Sequence, residues 1–356
     1  MINTTYFFMT EETNPYKNIA LEALLLETLP TDTAGLYLWQ NRRTVVIGRT
    51  QNAWTECRVE DVERDGGFLA RRLSGGGAVF HDMGNLNFTF LVPKDDYNLD
   101  KQTDVILQAV RNAGVKARKN GRNDLETDGR KFSGNAYYQS GKNAFHHGTL
   151  LVNADMSAAS AYLSVSQDKI KTKSVESVRQ RIINLTECAP DLTIPTLKTA
   201  LVEAFDAVYG RRSERLTLDS AADNFFGASH DPNAPRSPNR AVFLERLERR
   251  LSCLEKQFAD PAWKYGKNPP FASASSGRFP WGGVEVALNV ERNVITEAAV
   301  FSDAMDEAFI LELAPCLKGA GFTRTAVLEA FKAHFAGSPS RLACCDDVVD
   351  LIFRDR

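Results

Sequence analysis

Residues 71–90 read RRLSGGGAVFHDMGNLNFTF. The second half alternates: Leu86, Phe88 and Phe90 share one face of a strand while Asn85, Asn87 and Thr89 share the other, as a repeat of two requires. The first half breaks that repeat. Glycine loses more backbone freedom on folding than any other residue, so Gly75-Gly76-Gly77 belongs where the chain bends sharply or where something approaches the backbone closely. A glycine loop therefore lies between two strands, with Arg71 and Arg72 before it and His81 and Asp82 after it. It lacks the Gly-Lys-Ser/Thr of a Walker loop and the GxGxxG of a dinucleotide fold. Its N–H groups could still form an anion nest in which arginine clamps a phosphate. It could equally be a glycine-rich hairpin beside surface arginines, and the stretch alone leaves both readings open.

Upstream, Asn14-Pro15 reads as an N-cap followed by proline at the first helical position, and Ile19, Leu21, Leu24, Leu25 and Leu29 fit one buried helix face. GLYLWQ (35–40) and TVVIGR (44–49) are β-branched and aromatic runs separated by NRR, which predicts a hairpin. Downstream, Val105, Ile106, Ala109, Val110 and Ala113 form the apolar stripe of a helix over 100–114, with Gly114 at its C′ position. Asp128-Gly129 is a two-residue hairpin signal, and Ser140-Gly141-Lys142-Asn143 is a second turn leading into FHHGTLLV. Helical patterns then dominate to about residue 209. Together these predict an α+β domain over 1–248, with a mixed, largely antiparallel sheet flanked by helices. GASHDPNAPRSPNR (227–240) reads as a loop or linker and the charged helix 243–258 as a bridge. Residues 259–356 read as a smaller α+β domain: loop, a VEVALNV/VITEAAVF hairpin, and helices near 304–318 and 324–336.

A chain of 356 residues suits two domains better than one core. With 43 Lys+Arg against 45 Asp+Glu, it has no global attraction for nucleic acid or anionic membrane, so neither is an expected partner and any anion site must be local. The N-terminal MINTTYFFMTEETNPY lacks the basic and apolar regions of a signal peptide, and no apolar run of about 18 residues occurs; the expected location is cytoplasmic. Six cysteines without CxxC spacing argue against a zinc site or a disulfide framework.

Three further stretches carry unusual residues. In GRNDL (121–125), Asn123 and Asp124 stand at a strand entrance, where Asx turns are commoner than metal ligands. In GRKFSGNAYY (129–138), Lys131 and Phe132 point to opposite faces, so a core Phe132 sends Lys131 to a groove or to water. In FHHGTLL (145–151), adjacent histidines also face opposite ways, so at most one belongs to a site, and neither has zinc-motif spacing. No GxSxG is present and no cysteine falls in these stretches, which disfavours covalent nucleophilic chemistry. Cationic and glycine-rich elements without a nucleophile suit phosphoryl or adenylyl chemistry, performed by positioning and charge stabilisation.

At these residues the sequence resembles the lipoate–protein ligase A family. RRLSGGGAVFHDMGN corresponds to that family's RRxSGGGxVxHDxGN signature, followed in order by GRND, the K-x-SG lysine segment and the HHGTLL strand; TVVIGRTQNAWTEC corresponds upstream. The C-terminal WGGVEV hairpin is similar to the accessory domain of two-domain, single-chain members. The resemblance implies a biotin/lipoate ligase-like fold and a two-step reaction. Lipoate, or octanoate, is adenylated by ATP with Mg2+, and the acyl group then passes to a lysine of a lipoyl domain of a 2-oxoacid dehydrogenase complex or of the glycine cleavage H protein. It implies Arg72 and the backbone of Gly77, Ala78, Val79 and Phe80 at the nucleotide, and Lys131 between the lipoate carboxylate and the α-phosphate. It also implies Val46, Gly48, Ser74, His81, His147 and Thr149 around the acyl or adenylate pocket, with Asp124 a candidate contact for magnesium or nucleotide. Trp39, Val45, Val46 and Ile47 could line an apolar tunnel for the dithiolane.

Rival readings come from other classes. A lipoyl or octanoyl transferase working on a preformed acyl group through a cysteine thioester would need Cys57 or Cys188 at the pocket. A partner that uses preformed lipoyl-AMP or GTP, and a lipoate-binding scaffold, share the motifs, although a scaffold would be expected to have eroded the lysine and the loop. Biotin ligases share the fold family but carry a different glycine-arginine loop.

Overall fold

The computed structural model describes residues 1–120, 124–164, 181–217, 240–266 and 271–354. Its strands, in chain order, are β1 (Thr4–Met9), β2 (Thr33–Trp39), β3 (Thr44–Ile47), β4 (Phe68–Arg71), β5 (Val79–His81), β6 (Asn85–Pro93), β7 (Arg118–Asn120), β8 (Asp124–Thr127), β9 (Arg130–Ser140), β10 (Asn143–Leu151), β11 (Glu214–Arg215), β12 (Ser273–Phe279), β13 (Gly282–Glu291) and β14 (Val294–Ser302). An eight-stranded sheet runs β11-β1-β2-β6-β10-β9-β8-β7, and three-stranded sheets run β4-β3-β5 and β12-β13-β14. In the large sheet β1 is parallel to β2 and β11, and every other pairing is antiparallel.

Local sequence explains the elements that the motifs hang on. Asn14 caps the helix Pro15–Thr28 by accepting from the Tyr16 and Lys17 N–H groups, with proline at the first helical position. The helix Leu99–Asn112 is capped by Asn98 and followed by Gly114 at φ +90°. Asp128 and Gly129, both at positive φ, make the tight β8–β9 turn, and Gly141 serves the β9–β10 turn. The large sheet is covered on both faces. Leu36, Leu38, Leu86, Phe88, Phe90 and Phe132 pack beneath the helices Leu99–Asn112 and Ile194–Tyr209. Tyr37, Trp39, Leu91 and Phe145 meet Leu24 and Leu25 of Pro15–Thr28 together with Leu247, Leu254 and Phe258 of the helix Arg240–Ala259. The charged helix read as a bridge therefore buries one stripe along the first helix.

The predicted hairpin over 35–49 is not formed. β2 already has β1 on one edge and β6 on the other, so no backbone edge remains for β3, which joins the small sheet between β4 and β5. The chain leaves β2 through Asn41, whose buried side chain bonds Asn18 and His81, and Arg43 at φ +32°. In the C-terminal part the β13–β14 hairpin and the helices Glu307–Leu317 and Arg324–His334 agree with expectation, while β12 and a third helix, Pro339–Ile352, were not anticipated. Leu313, Phe331 and Val348 are among the buried residues of their common core, which among the described residues draws on residues 279–353. Most of the predicted loop at 227–240 lies outside the described residues. Among the described residues no helix is long and apolar enough to cross a membrane.

Adjacent residues of β9 should behave oppositely. Phe132 is fully buried, so Phe132→Ala is expected to lower unfolding free energy by about 3–5 kcal/mol. Lys131→Ala removes a side chain that is 37% exposed and should change it by no more than about 1 kcal/mol, as urea denaturation would read.

Candidate active site

The glycine loop is folded around two buried arginines. Arg71 Nη1 donates to the carbonyls of Gly48, Arg49 and Gln51, and its Nε and Nη2 reach those of Trp263 and Lys264. Arg72 Nη2 donates to Gly75 O at 2.7 Å and Gly77 O at 2.9 Å, Nε to Ser74 Oγ at 3.1 Å, and Nη1 to Val46 O at 3.2 Å. Burial pushes both guanidinium groups down to about 10, which still leaves them charged at neutral pH. These are not surface arginines beside a hairpin: β4 and β5 flank β3 and do not pair with each other. Gly48 is needed for the same reason, because a Cβ there would stand 2.2 Å from Gly76 O.

The loop roofs a pocket of about 170 Å3. Arg72, Gly77, Ala78, Val79, Val46, His81, Lys131, His147 and Thr149, all singled out in the sequence, line it. Gly48 packs behind the loop, and Ser74 lies one hydrogen bond away, with Oγ 2.7 Å from His147 Nε2. The Phe80 side chain turns toward Tyr162, leaving only its backbone to face the loop. Asp124 Oδ1 is 2.7 Å from Lys131 Nζ.

Lys131 reaches the pocket because β9 is bulged. Glu126 opposes Lys131 and Leu125 opposes Ser133, so Phe132 is the extra residue. The bulge shifts the alternation by one position and puts Lys131 on the pocket wall with Gly134 and Ala136 while Phe132 stays in the core. Its backbone is fixed from the far side, by Lys131 N–H to Arg181 O at 2.7 Å and Ile183 N–H to Lys131 O at 2.9 Å. A Cβ on Gly134 would lie 3.1 Å from Lys131 Nζ, so the glycine leaves room for the ammonium.

The pocket floor holds a buried polar chain. Trp39 Nε1–H donates to Thr89 Oγ1 (3.1 Å), whose hydroxyl donates to Glu22 Oε1 (2.7 Å). From the other side Arg72 donates to Ser74, Ser74 meets His147 Nε2, and His147 Nδ1 stands 2.8 Å from the same Oε1. Every donor is satisfied if His147 carries its proton on Nδ1. His146 points to the opposite face, against Phe88 and Phe90. Burial, then nearby positive groups, drives His81 and His146 down to about 3, so both rings are neutral.

Sequence reasoning missed Glu22, Asn87, Asn135 and Met305, which also line the pocket. Glu22 carried a readable signal, as a lone acid inside the apolar run IALEALLLE, and Asn87 was already on the polar face of its strand. Met305 carried none: it arrives with the C-terminal part, where Ala304 O accepts from Gly76 N–H at 3.0 Å and Thr50 and Ser302 exchange two hydrogen bonds. Burial raises the Glu307 carboxyl to about 7, with the nearby Gly75 N–H pulling the other way. Among the described residues no cluster of three His, Cys, Asp or Glu could hold a metal ion.

The "Lipoyl protein ligase A/B catalytic domain" family matches residues 14–206, and the "Bacterial lipoate protein ligase C-terminus" family matches residues 268–337. The chain belongs to the lipoyl protein ligase A/B family. It is 39% identical over 341 residues to the lipoate-protein ligase A of Psychrobacter cryohalolentis, covering 94% of each chain. Among solved structures, P. falciparum LipL1 in complex with lipoate superposes with a TM-score of 0.78 at 25% identity, covering 99% of this chain and all of that one. A lipoate-protein ligase A bound with ATP shares the fold at a TM-score of 0.57 and 22% identity, over 75% of this chain and 99% of that one. The mixed sheet flanked by helices, with a smaller C-terminal α+β unit, is thus the architecture expected from the sequence.

Two neutral buried histidines impose a pH dependence. Their native values lie below the ordinary 6.5, so the unfolded chain binds more protons between about pH 3 and 6.5, and stability falls as pH drops through that window. Thermal melts should show a declining Tm below about pH 6.5, and NMR should find that neither ring titrates between about pH 5 and 8.

Proposed function

We propose that the protein is an ATP-dependent lipoate–protein ligase. The observation that carries this reading is a single ammonium, Lys131, on the wall of an acyl-sized pocket roofed by the glycine loop. An arginine-braced loop and a lysine, with no cysteine among the described lining residues, suit a reaction run by charge stabilisation. In the first step a lipoate carboxylate oxygen attacks the α-phosphorus of ATP, the bond to the bridging oxygen breaks, and pyrophosphate leaves. Lys131 Nζ screens the two anions from each other and offsets charge growing on the phosphoryl oxygens. In the second step the amine of an acceptor lysine attacks the acyl carbonyl and AMP departs, with the same ammonium facing the developing oxyanion. The backbone of Gly77, Ala78, Val79 and Phe80 would follow the phosphate, while Val46, His81, His147 and Thr149 would surround the acyl chain.

A magnesium ion would travel with the nucleotide and neutralise its phosphates. The residues present fit that role better than a fixed protein site, since no group of three His, Cys, Asp or Glu among the described residues could hold the ion and Asp124 already pairs with Lys131. We further infer that 1–248 form the catalytic unit and 259–356 an accessory one. Acceptors would be lipoyl domains of 2-oxoacid dehydrogenase complexes and the glycine cleavage H protein. One solved relative in fold, from Thermoplasma acidophilum, is described as a bi-partite lipoate protein ligase with its E2 lipoyl domain.

The transferase reading loses support at its nucleophile. Cys57 is buried, burial pushes its thiol up to about 12, and its Sγ bonds Ala53 O; neither it nor Cys188 lines the pocket. Lipoate-dependent exchange of pyrophosphate into ATP tests the ligase directly, and absence of exchange would overturn it. Lys131→Ala should lower that exchange by at least about 100-fold. Cys57→Ser should retain wild-type turnover within about threefold, the range expected of a substitution away from reacting atoms.

A further inference from the structure

Arg71 is 5% exposed, and the two edges of its guanidinium are met by parts of the chain far apart in sequence. Nη1 donates to the carbonyls of Gly48 (3.1 Å), Arg49 (3.1 Å) and Gln51 (2.6 Å), in the turn that follows β3. Nε donates to Trp263 O at 2.9 Å and Nη2 to Lys264 O at 2.8 Å. Among the described contacts no other acceptor outside Trp263 and Lys264 reaches Nε or Nη2. A buried guanidinium is tolerable only when its donors are met, so these two carbonyls supply half of the Arg71 socket.

They belong to the short helix Pro261–Tyr265, which follows the charged helix and falls between the stretches that the two families match. This segment is not a slack tether. Asp260 caps it by accepting from Ala262 N–H at 2.7 Å. Trp263 packs edge to face on Phe258 at 5.3 Å, and its Nε1–H donates to Arg71 O at 2.9 Å, returning the contact that Arg71 makes to it. Lys264 Nζ donates to the Tyr16 hydroxyl at 3.4 Å, and Tyr265 stacks on Trp54 at 5.3 Å and hydrogen-bonds Glu63. The segment opens the part read above as accessory, yet Tyr16, Trp54, Glu63 and Arg71 all lie in the catalytic one.

The turn gripped by Arg71 is the one that supports the glycine loop. Arg49 N–H donates to Ser74 O at 2.9 Å, and Gly48 lies so close that a Cβ there would stand 2.2 Å from Gly76 O. The Arg49 guanidinium reaches back over the Trp263 ring, 4.1 Å from its centroid, a cation–π contact that ties the same turn to the segment directly. Loss of Trp263 therefore loosens the 48–51 turn from two sides, through Arg71 and through Arg49, and with it the backbone from Ser74 onward. Where chemistry is done by positioning, a misplacement of about 1 Å can cost on the order of 100-fold in rate.

We propose that Trp263 is a positioning residue for the adenylation step, holding the glycine loop in the shape that takes the nucleotide by completing the Arg71 socket and stacking under Arg49. The assignment rests on the ligase reading above. Trp263 is not among the pocket-lining residues, so its effect passes through the turn and the loop. ATP, whose phosphates follow the loop backbone, feels its loss more than lipoate, whose carboxylate is held by Lys131 on β9.

The test is full-length Trp263→Ala in lipoate-dependent pyrophosphate exchange, with kcat and both KM values measured separately. KM for ATP should rise about tenfold, the effect of roughly one hydrogen bond, and KM for lipoate should rise less. A residue that serves stability alone would lower the amount of folded enzyme, which lowers apparent kcat and leaves both KM values as they were. A KM for ATP within about threefold of wild type, or an equal rise for both substrates, overturns the assignment. Should the alanine variant not fold, Trp263→Phe keeps a ring beneath Arg49 and removes the Nε1–H; KM for ATP is then expected to rise more than about twofold, and a smaller rise overturns the assignment. Wild-type protein without lipoate-dependent exchange would refute the ligase reading instead, so the two failures are distinguishable.

Discussion

The site depends on one buried charge. Arg72 is 7% exposed, and a guanidinium so far from water is tolerable only when its donors are met. The loop carbonyls of Gly75 and Gly77, Val46 O and Ser74 Oγ meet them, which dictates the path of the loop. Gly76 at φ +90° and the missing side chain at Gly48 are what that path demands. The arginine expected to clamp a phosphate is in this structure the post around which the anion-facing backbone is wrapped. Replacing it with lysine would keep the charge but lose the fork that reaches several carbonyls at once.

That post is tied to the floor of the pocket. Ser74 passes the connection to His147 and His147 to Glu22, where a second arm from Trp39 through Thr89 converges. Roof and floor therefore share one hydrogen-bonded network, and a network of this kind is rigid only when its members are satisfied together. Local stability follows from the same division. The face of the sheet holding Phe88, Phe90 and Phe132 is largely apolar, with the buried His146 paired to Asn135 Oδ1, whereas the opposite face buries Glu22, Thr89 and His147 in the polar network.

Much of this was readable because it is local. Alternation in Asn85–Phe90 gave both the core face and the polar face of β6, and Asn14-Pro15, Asp128-Gly129 and Gly114 set the ends of elements by their own backbone preferences. What was hidden depends on partners distant in sequence. The runs at 35–40 and 44–49 look like a hairpin until β1 and β6 occupy both edges of β2. The face of Lys131 follows from a bulge that no residue type announces, and Glu22 acquires meaning only when His147 and Thr89 are folded against it. ASASSGRF lacks the β-branched residues that mark a strand, and β13 nevertheless holds it as β12.

The C-terminal part adds a constraint that its own sequence does not declare. Gly76 N–H donates to the Ala304 carbonyl and the Glu307 carboxyl lies near Gly75 N–H, so the start of the glycine loop is already engaged from outside. A phosphate drawn to those two groups would have to displace an acceptor and, with Glu307, compete against a carboxyl group. A phosphate following Gly77 to Phe80 meets backbone that the C-terminal part does not hydrogen-bond in the described contacts. The geometry thus divides the loop into a half that fastens the small unit and a half that faces the pocket. The consecutive glycines are required because the same few residues must turn toward both.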